Sequence, residues 1–187
     1  MKKELLAHLH RRIAQTAVGP STARGMGPTG TIQAARSFLT NKIDLSEIAR
    51  LRVAEFPRFL DRKTEELKCA LPQEAQHWGA SRKFLNIFLR DVLYARWLCD
   101  GRSIDHLEES LEIPIDKHVA LHLKGKPEGE FLPRWKTIIG LEKKESDQFQ
   151  AVALTIAKKR GFARIHLDLE YWRSDEALNG FKPSTPR

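Results

Sequence analysis

Two side chains in this sequence are placed for nucleophilic chemistry at a carbon centre. Lys83 stands in the opening turn of an otherwise apolar helix, within Gly79-Ala-Ser-Arg-Lys-Phe-Leu-Asn-Ile-Phe-Leu89. Asp116 stands at the start of another, within Glu112-Ile-Pro-Ile-Asp-Lys-His-Val119. An amine and a carboxylate at two helix entrances can attack a sugar carbon and stabilise the positive charge that develops there. Each residue also has an ordinary structural use. A lysine-headed polar stripe is usually the solvated face of an amphipathic helix, and an aspartate in a first turn complements the helix dipole. The two motifs together point to chemistry more than either does alone.

The elements that must hold this pair read as helices, giving an all-α fold. Lys3 to Ala17 carries Leu5, Leu6, Leu9 and Ile13 at helical spacing. Val18 to Gly30 is interrupted by Gly19, Pro20, Gly25, Gly27, Pro28 and Gly30 and reads as a loop. Thr31 to Leu39 restarts a helix. Asp44 or Ser46 caps the next, which runs through Ile48, Leu51, Val53 and Phe56 until Pro57 ends it. Asp61 to Leu71 makes a further short helix. Ser81 to Leu98 is the expected central helix, followed by smaller ones at Ile104 to Leu111, Pro114 to Leu123 and Pro133 to Ile139. Glu145 to Arg160 is amphipathic, with Phe149, Val152, Ala153 and Ile156 inward. Arg164 to Arg173 fits a strand or a helix. The expected organisation is a single helical domain over residues 1–173 and a polar tail over 174–187.

On the central helix, Leu85, Phe88, Val92 and Ala95 share one face, flanked by Phe84 and Leu89. Lys83, Asn86 and Arg90 fall together opposite, with Tyr94 nearby and Arg82 at the edge. The turn His77-Trp-Gly-Ala-Ser feeds this helix through a glycine, and the free N–H groups of such an entrance suit a phosphate.

Composition agrees with a polyanionic partner. The chain carries 32 Lys and Arg against 24 Asp and Glu, for a net charge of +8, and cations set against phosphates release counterions. Cys69 and Cys99 are too few for a four-cysteine zinc or iron–sulfur site, and no metal or cofactor is expected. His8, His10, Arg11 and Arg12 interrupt the apolar run that a signal peptide would need, and no stretch is long enough to cross a bilayer. The expectation is a protein that does not enter membranes, cytoplasmic and nucleoid-associated, or nuclear or organellar in a eukaryotic cell.

The segment 79–89 resembles the second half of the helix–hairpin–helix of DNA glycosylases related to endonuclease III and the 8-oxoguanine glycosylases, which typically reads Gly-Val-Gly-Arg-Lys-Thr-Ala-Asn. Ile113-Pro-Ile-Asp-Lys-His-Val119 resembles that family's Val-Asp-Thr-His-Val. The resemblance implies a two-lobed all-α fold, a helix–hairpin–helix over about 67–98, an aspartate helix over about 114–123, and an interlobe cleft for a flipped base. It implies Lys83 as Schiff-base nucleophile and Asp116 as the essential carboxylate. Neutral amine is required for attack, which burial and the neighbouring cations Arg82 and Arg90 would favour. Trp78, Gly79, Ala80, Ser81, Arg82, Asn86, Arg90, Lys117 and His118 become the expected contacts to double-stranded DNA carrying a damaged base, engaged by a monomer.

Ser81 replaces the second hairpin glycine, and Lys117 the threonine after the aspartate. Lys83 and Asp116 lie 33 positions apart (116 − 83), a spacing closer to the archaeal 8-oxoguanine branch. Ile165-His-Leu-Asp-Leu-Glu-Tyr-Trp172 resembles that branch's carboxy-terminal motif. The expected activity is base excision, with accompanying abasic-site lyase activity and oxidised guanine as the favoured lesion. A helix–hairpin–helix module that binds DNA without chemistry, and a helical protein whose basic face meets an acidic partner, are the alternatives. Among weaker features, Arg24-Gly-Met-Gly-Pro-Thr-Gly-Thr31 could cradle a phosphate, though no Gly-Lys-Ser/Thr follows. Trp78 is the candidate wedge among Trp78, Tyr94, Trp97 and Trp135, and His118 and His166 are candidate substrate contacts.

Overall fold

The computed structural model describes residues 3–95 and 103–171. Every regular element among them is helical, as the periodicity predicts. The helices are α1 (Lys3–Ala17), α2 (Thr31–Asn41), α3 (Leu45–Ile48), α4 (Phe56–Ala70), α5 (Trp78–Tyr94), α6 (Lys117–Lys124), α7 (Lys143–Arg160) and α8 (Leu167–Tyr171). Short 3₁₀ turns at Val53–Glu55, Gln73–Ala75, Asp105–Ser110, Pro127–Gly129 and Arg164–His166 join them. Trp97, Leu98, Cys99, Trp172 and the 174–187 tail lie outside the described residues.

Several expected boundaries move, each for a local reason. Asp44 does cap a helix, accepting the Ser46 N–H at 2.8 Å, but α3 stops at Ile48 instead of running on to Phe56. Pro57 opens α4 instead of closing its predecessor. A proline costs nothing in a first turn, where its missing N–H has no acceptor anyway. The helix expected over Asp61 to Leu71 therefore begins five residues earlier, at Phe56. The 104–111 segment winds as a 3₁₀ turn, and 133–139 contains no helix. The ambiguous stretch after Arg164 is helical.

Two apolar clusters organise these elements. The larger gathers buried faces of α1, α2, α4 and α5, including Phe38, Leu39, Phe56, Leu67, Phe84 and Phe88, and takes in Ile104, Leu107 and Leu111. The smaller joins Ile113 and Ile115 to α6, α7 and α8 through Val119, Leu123, Phe149, Ile156 and Leu167. Polar groups stitch the segment linking them. The Gln150 side chain donates to Ile113 O at 2.8 Å and accepts the Ile113 N–H at 3.2 Å. Arg164 donates to Leu111 O at 2.9 Å and Ser110 O at 3.1 Å. These bonds fix the 110–113 strand of chain just before Asp116, which is how the aspartate acquires a defined position.

The central helix is buried on nearly all sides. Ser81, Arg82, Lys83 and Asn86 are as enclosed as Phe84, Leu85 and Phe88, so the expected solvated polar stripe is absent. Burial along this stretch favours internal partners for its polar side chains, and Arg82, Lys83 and Asn86 have them, while Ser81 Oγ has none among the described residues.

Candidate active site

The two residues singled out by chemistry meet. Lys83, only 9% exposed, sits in the second turn of α5, and its Nζ lies 3.4 Å from Asp116 Oδ2. Asp116 precedes α6 as its cap, and its Oδ1 accepts the Val119 N–H at 3.1 Å. One carboxylate oxygen thus anchors the helix while the other faces the amine. The cap explains why Asp116 precedes the helix, and why the Pro114 start expected from sequence does not occur. Pro114 and Ile115 are extended chain leading into it.

Lys83 and Asp116 line a cavity of about 470 Å³. Its floor is α5, through Lys83, Ile87, Arg90, Asp91 and Tyr94. One wall carries Thr16, Ser21 and Thr22, and the other Pro114, Asp116, Asp168 and Leu169. Arg90 is held between two carboxylates: its Nε and Nη2 donate to Asp91 Oδ1 at 2.9 and 2.7 Å, and its Nη1 to Asp168 Oδ2. Burial works against the Arg90 cation, but Asp168 and Asp91 outweigh it and raise its pKa. Burial likewise pushes the carboxyls of Asp91 and Asp168 above the usual aspartate range, with Arg90 opposing. Asp168 also feels Asp116 and Lys83, which puts it in the electrostatic neighbourhood of that pair.

At the far end, the Tyr94 hydroxyl lies 2.8 Å from His166 Nδ1, and His166 Nε2 lies 2.7 Å from Glu108 Oε1. With Glu108 accepting from Nε2–H, Nδ1 is left to accept the phenol. Burial raises the Tyr94 pKa to about 12, so the hydroxyl keeps its proton in this chain of bonds.

The other expected contacts divide. Gly79, Ala80 and Ser81 are buried. A Cβ on Gly79 would run into the Ile138 carbonyl and come within 2.8 Å of Leu141 Cβ, so the glycine serves an internal close approach. Ser81 N–H makes the helix's first bond, to His77 O, and the N–H groups before it lack intrahelical acceptors, but those of Gly79 and Ala80 belong to buried residues. Arg82 is a correction. It is 4% exposed, donates to Thr64 at 2.8 Å and Asp61 at 2.6 Å, and pairs with Glu112 at 3.0 Å. Its guanidinium also lies over the Trp78 ring at 4.9 Å. Asn86 is a second correction, being buried and bonded to Glu112 at 3.1 Å. Arg90 lines the cavity beside Lys83, held by Asp91 and Asp168. Neither arginine is free to act on Lys83 as an uncompensated cation. Lys117 and His118 are exposed beside Asp116, and His166 is engaged as above.

Sequence reasoning missed Asp91, Thr16, Ser21, Thr22 and Glu108, and quoted Asp168 without giving it a place. A signal for the floor was present: Lys83, Ile87, Arg90 and Tyr94 recur at one helical face, and choosing Asn86 over Ile87 for the stripe rotated it away. The walls come from segments far apart in sequence, with no local pattern. Among the described residues no group of His, Cys, Asp and Glu could hold a metal ion, and no helix is long and apolar enough to cross a membrane. No protein-family model, curated protein or solved structure matches this chain.

Proposed function

We propose that this protein excises a damaged or modified base from double-stranded DNA through a Schiff base on Lys83, with abasic-site lyase activity. The observation that carries the reading is the Lys83–Asp116 pair, 3.4 Å apart, brought from two motifs 33 residues apart to the lining of one ligand-sized cavity. In this reading α4, the Gln73–Ala75 turn and α5 form the helix–hairpin–helix. The two apolar clusters are the cores of two lobes, and the cavity is the cleft between them.

The chemistry follows from the groups. A target nucleotide turns out of the duplex at a cost of a few kcal/mol, least for a damaged base. Asp116 Oδ2 takes a proton from the Lys83 ammonium and hands it on to the departing base, so that the neutral amine attacks C1′ as the bond to the base breaks and the carboxylate is regenerated. The developing positive charge on the sugar lies beside the Asp116 carboxylate. Opening of the sugar ring gives the imine, from which loss of a 2′ proton expels the 3′ phosphate. The exposed Lys117 and His118 hold flanking phosphates.

Borohydride trapping tests the reading with duplexes carrying an abasic site, 8-oxoguanine or no lesion. A covalent adduct is expected that requires both the lesion and Lys83. An adduct of equal yield from Lys83→Gln would remove the lysine from the mechanism. Salt-sensitive binding with neither adduct nor base release would leave a DNA-binding module without chemistry.

A further inference from the structure

The cavity is longer than the Lys83–Asp116 chemistry requires. α5 lines it at Lys83, Ile87, Arg90 and Tyr94, about one residue per turn. At 1.5 Å per residue it therefore follows the helix for about 16 Å. The reacting pair sits at one end and Tyr94 at the other. A bare base seated with its sugar at Lys83 fills only the near part, and about 470 Å³ is a volume suited to larger, drug-sized ligands.

The remaining length is polar and oriented. Arg90 gives three of its five N–H donors to Asp91 Oδ1 and Asp168 Oδ2, and its single charge faces two carboxylates, which disfavours an incoming anion. Its partners' second oxygens, Asp91 Oδ2 and Asp168 Oδ1, accept no hydrogen bond from the described residues, and both aspartates line the cavity. Carboxylates that face a ligand and lack spare cations select hydroxyl or amino hydrogens over negative charge. Tyr94 is fixed by His166, itself fixed by Glu108, which presents a held aromatic edge. The facing wall adds the hydroxyls of Thr16, Ser21 and Thr22.

We propose that the base removed here carries an extended hydroxylated substituent, of the kind a hexose attached to a pyrimidine supplies. The base ring sits against Lys83 and Asp116, and the substituent reaches Asp91 and Tyr94. This rests on the base-excision reading and narrows its substrate.

The test incubates the protein with duplexes carrying 8-oxoguanine, 5-hydroxymethylcytosine, glucosylated 5-hydroxymethylcytosine or an abasic site, following base release and borohydride trapping in parallel. The glucosylated base is expected to leave at least about tenfold faster than its hydroxymethyl parent, a margin typical of pockets that bond a ligand's hydroxyls. Tyr94→Ala is expected to shrink that ratio towards one, with Tyr94→Phe between. Equal or slower release of the glucosylated base, faster release of 8-oxoguanine, or release of no base at all overturns the inference. Where some base is released, Lys83-dependent trapping at the abasic site leaves the excision reading standing; trapping with no release leaves a lyase alone and overturns excision too. Absence of trapping and release on every duplex overturns both.

Discussion

Asp116 uses its two oxygens for two purposes, and substitution separates them. Oδ1 accepts the Val119 N–H at 3.1 Å, while Oδ2 faces Lys83 at 3.4 Å. Asparagine caps a helix about as well as aspartate, so Asp116→Asn is expected to keep α6 and the unfolding midpoint while base release slows by about 10²-fold. Asp116→Ala also loses the cap, at about 1 kcal/mol. Urea midpoints beside single-turnover rates distinguish the two variants, and an Asn variant as fast as wild type would make the carboxylate a cap only. Asp168 gives a pH prediction. Burial raises its pKa, so the native state holds that proton to higher pH than the unfolded chain. Its contribution to stability is present below the unfolded value and is lost as pH rises through the raised native one. Asp168→Asn removes that loss, so the variant is expected to gain on wild type in urea midpoints taken from about pH 4 to pH 7. A difference independent of pH would show that Asp168 ionises as an ordinary carboxylate. Lys83 and Asp116 are legible in the sequence because each sits in its own short motif. Asp168 is not, because what makes it unusual is burial beside Arg90, a residue 78 positions away.

Among the elements, α5 depends most on what covers it. Its first turn approaches the 138–141 segment so closely that only glycine fits at position 79. The neighbouring atoms are a backbone carbonyl and a leucine Cβ, neither of which can swing aside. Gly79→Ala is expected to lose about 1–3 kcal/mol from this overpacking, with the cavity floor displaced. Thermal or urea unfolding measures the loss, and an unchanged midpoint would mean that the 138–141 segment gives way freely. The same helix shows what sequence pattern reveals and where it stops. Its existence and apolar face follow from Leu85, Phe88 and Val92 at helical spacing, all of them buried. The fate of its polar side follows from nothing local. Arg82 and Asn86 look solvated until Glu112, 30 and 26 positions on, closes over them. Pro57 misleads for the opposite reason, since a proline marks a helix start and a helix stop with the same residue, and only the turn before it decides.

At the scale of the whole molecule, the net charge of +8 overstates what an incoming duplex meets. Part of the positive charge is spent inside. Arg82 is bound by Asp61 and Glu112, Arg90 by Asp91 and Asp168, Lys63 by Glu66, and Arg164 by backbone carbonyls. The cations left to phosphate are the exposed ones, and Lys117 stands beside Asp116 at the cavity wall. Affinity for an undamaged duplex is therefore expected to fall linearly with the logarithm of salt, by a slope near 0.9 for each phosphate neutralised. Lys117→Gln should reduce that slope by about 1 with little effect on stability. Arg82→Gln should leave the slope unchanged and instead destabilise the fold by about 3 kcal/mol, because Glu112, whose side chain is only 11% exposed, loses its ion-pair partner. The two variants carry the same change in formal charge, so overall basicity predicts the same slope for both. Equal slopes, each lower than wild type, would mean that long-range charge governs binding. Unequal slopes would place the phosphate contacts at Lys117, beside Asp116, where the proposed excision would need them.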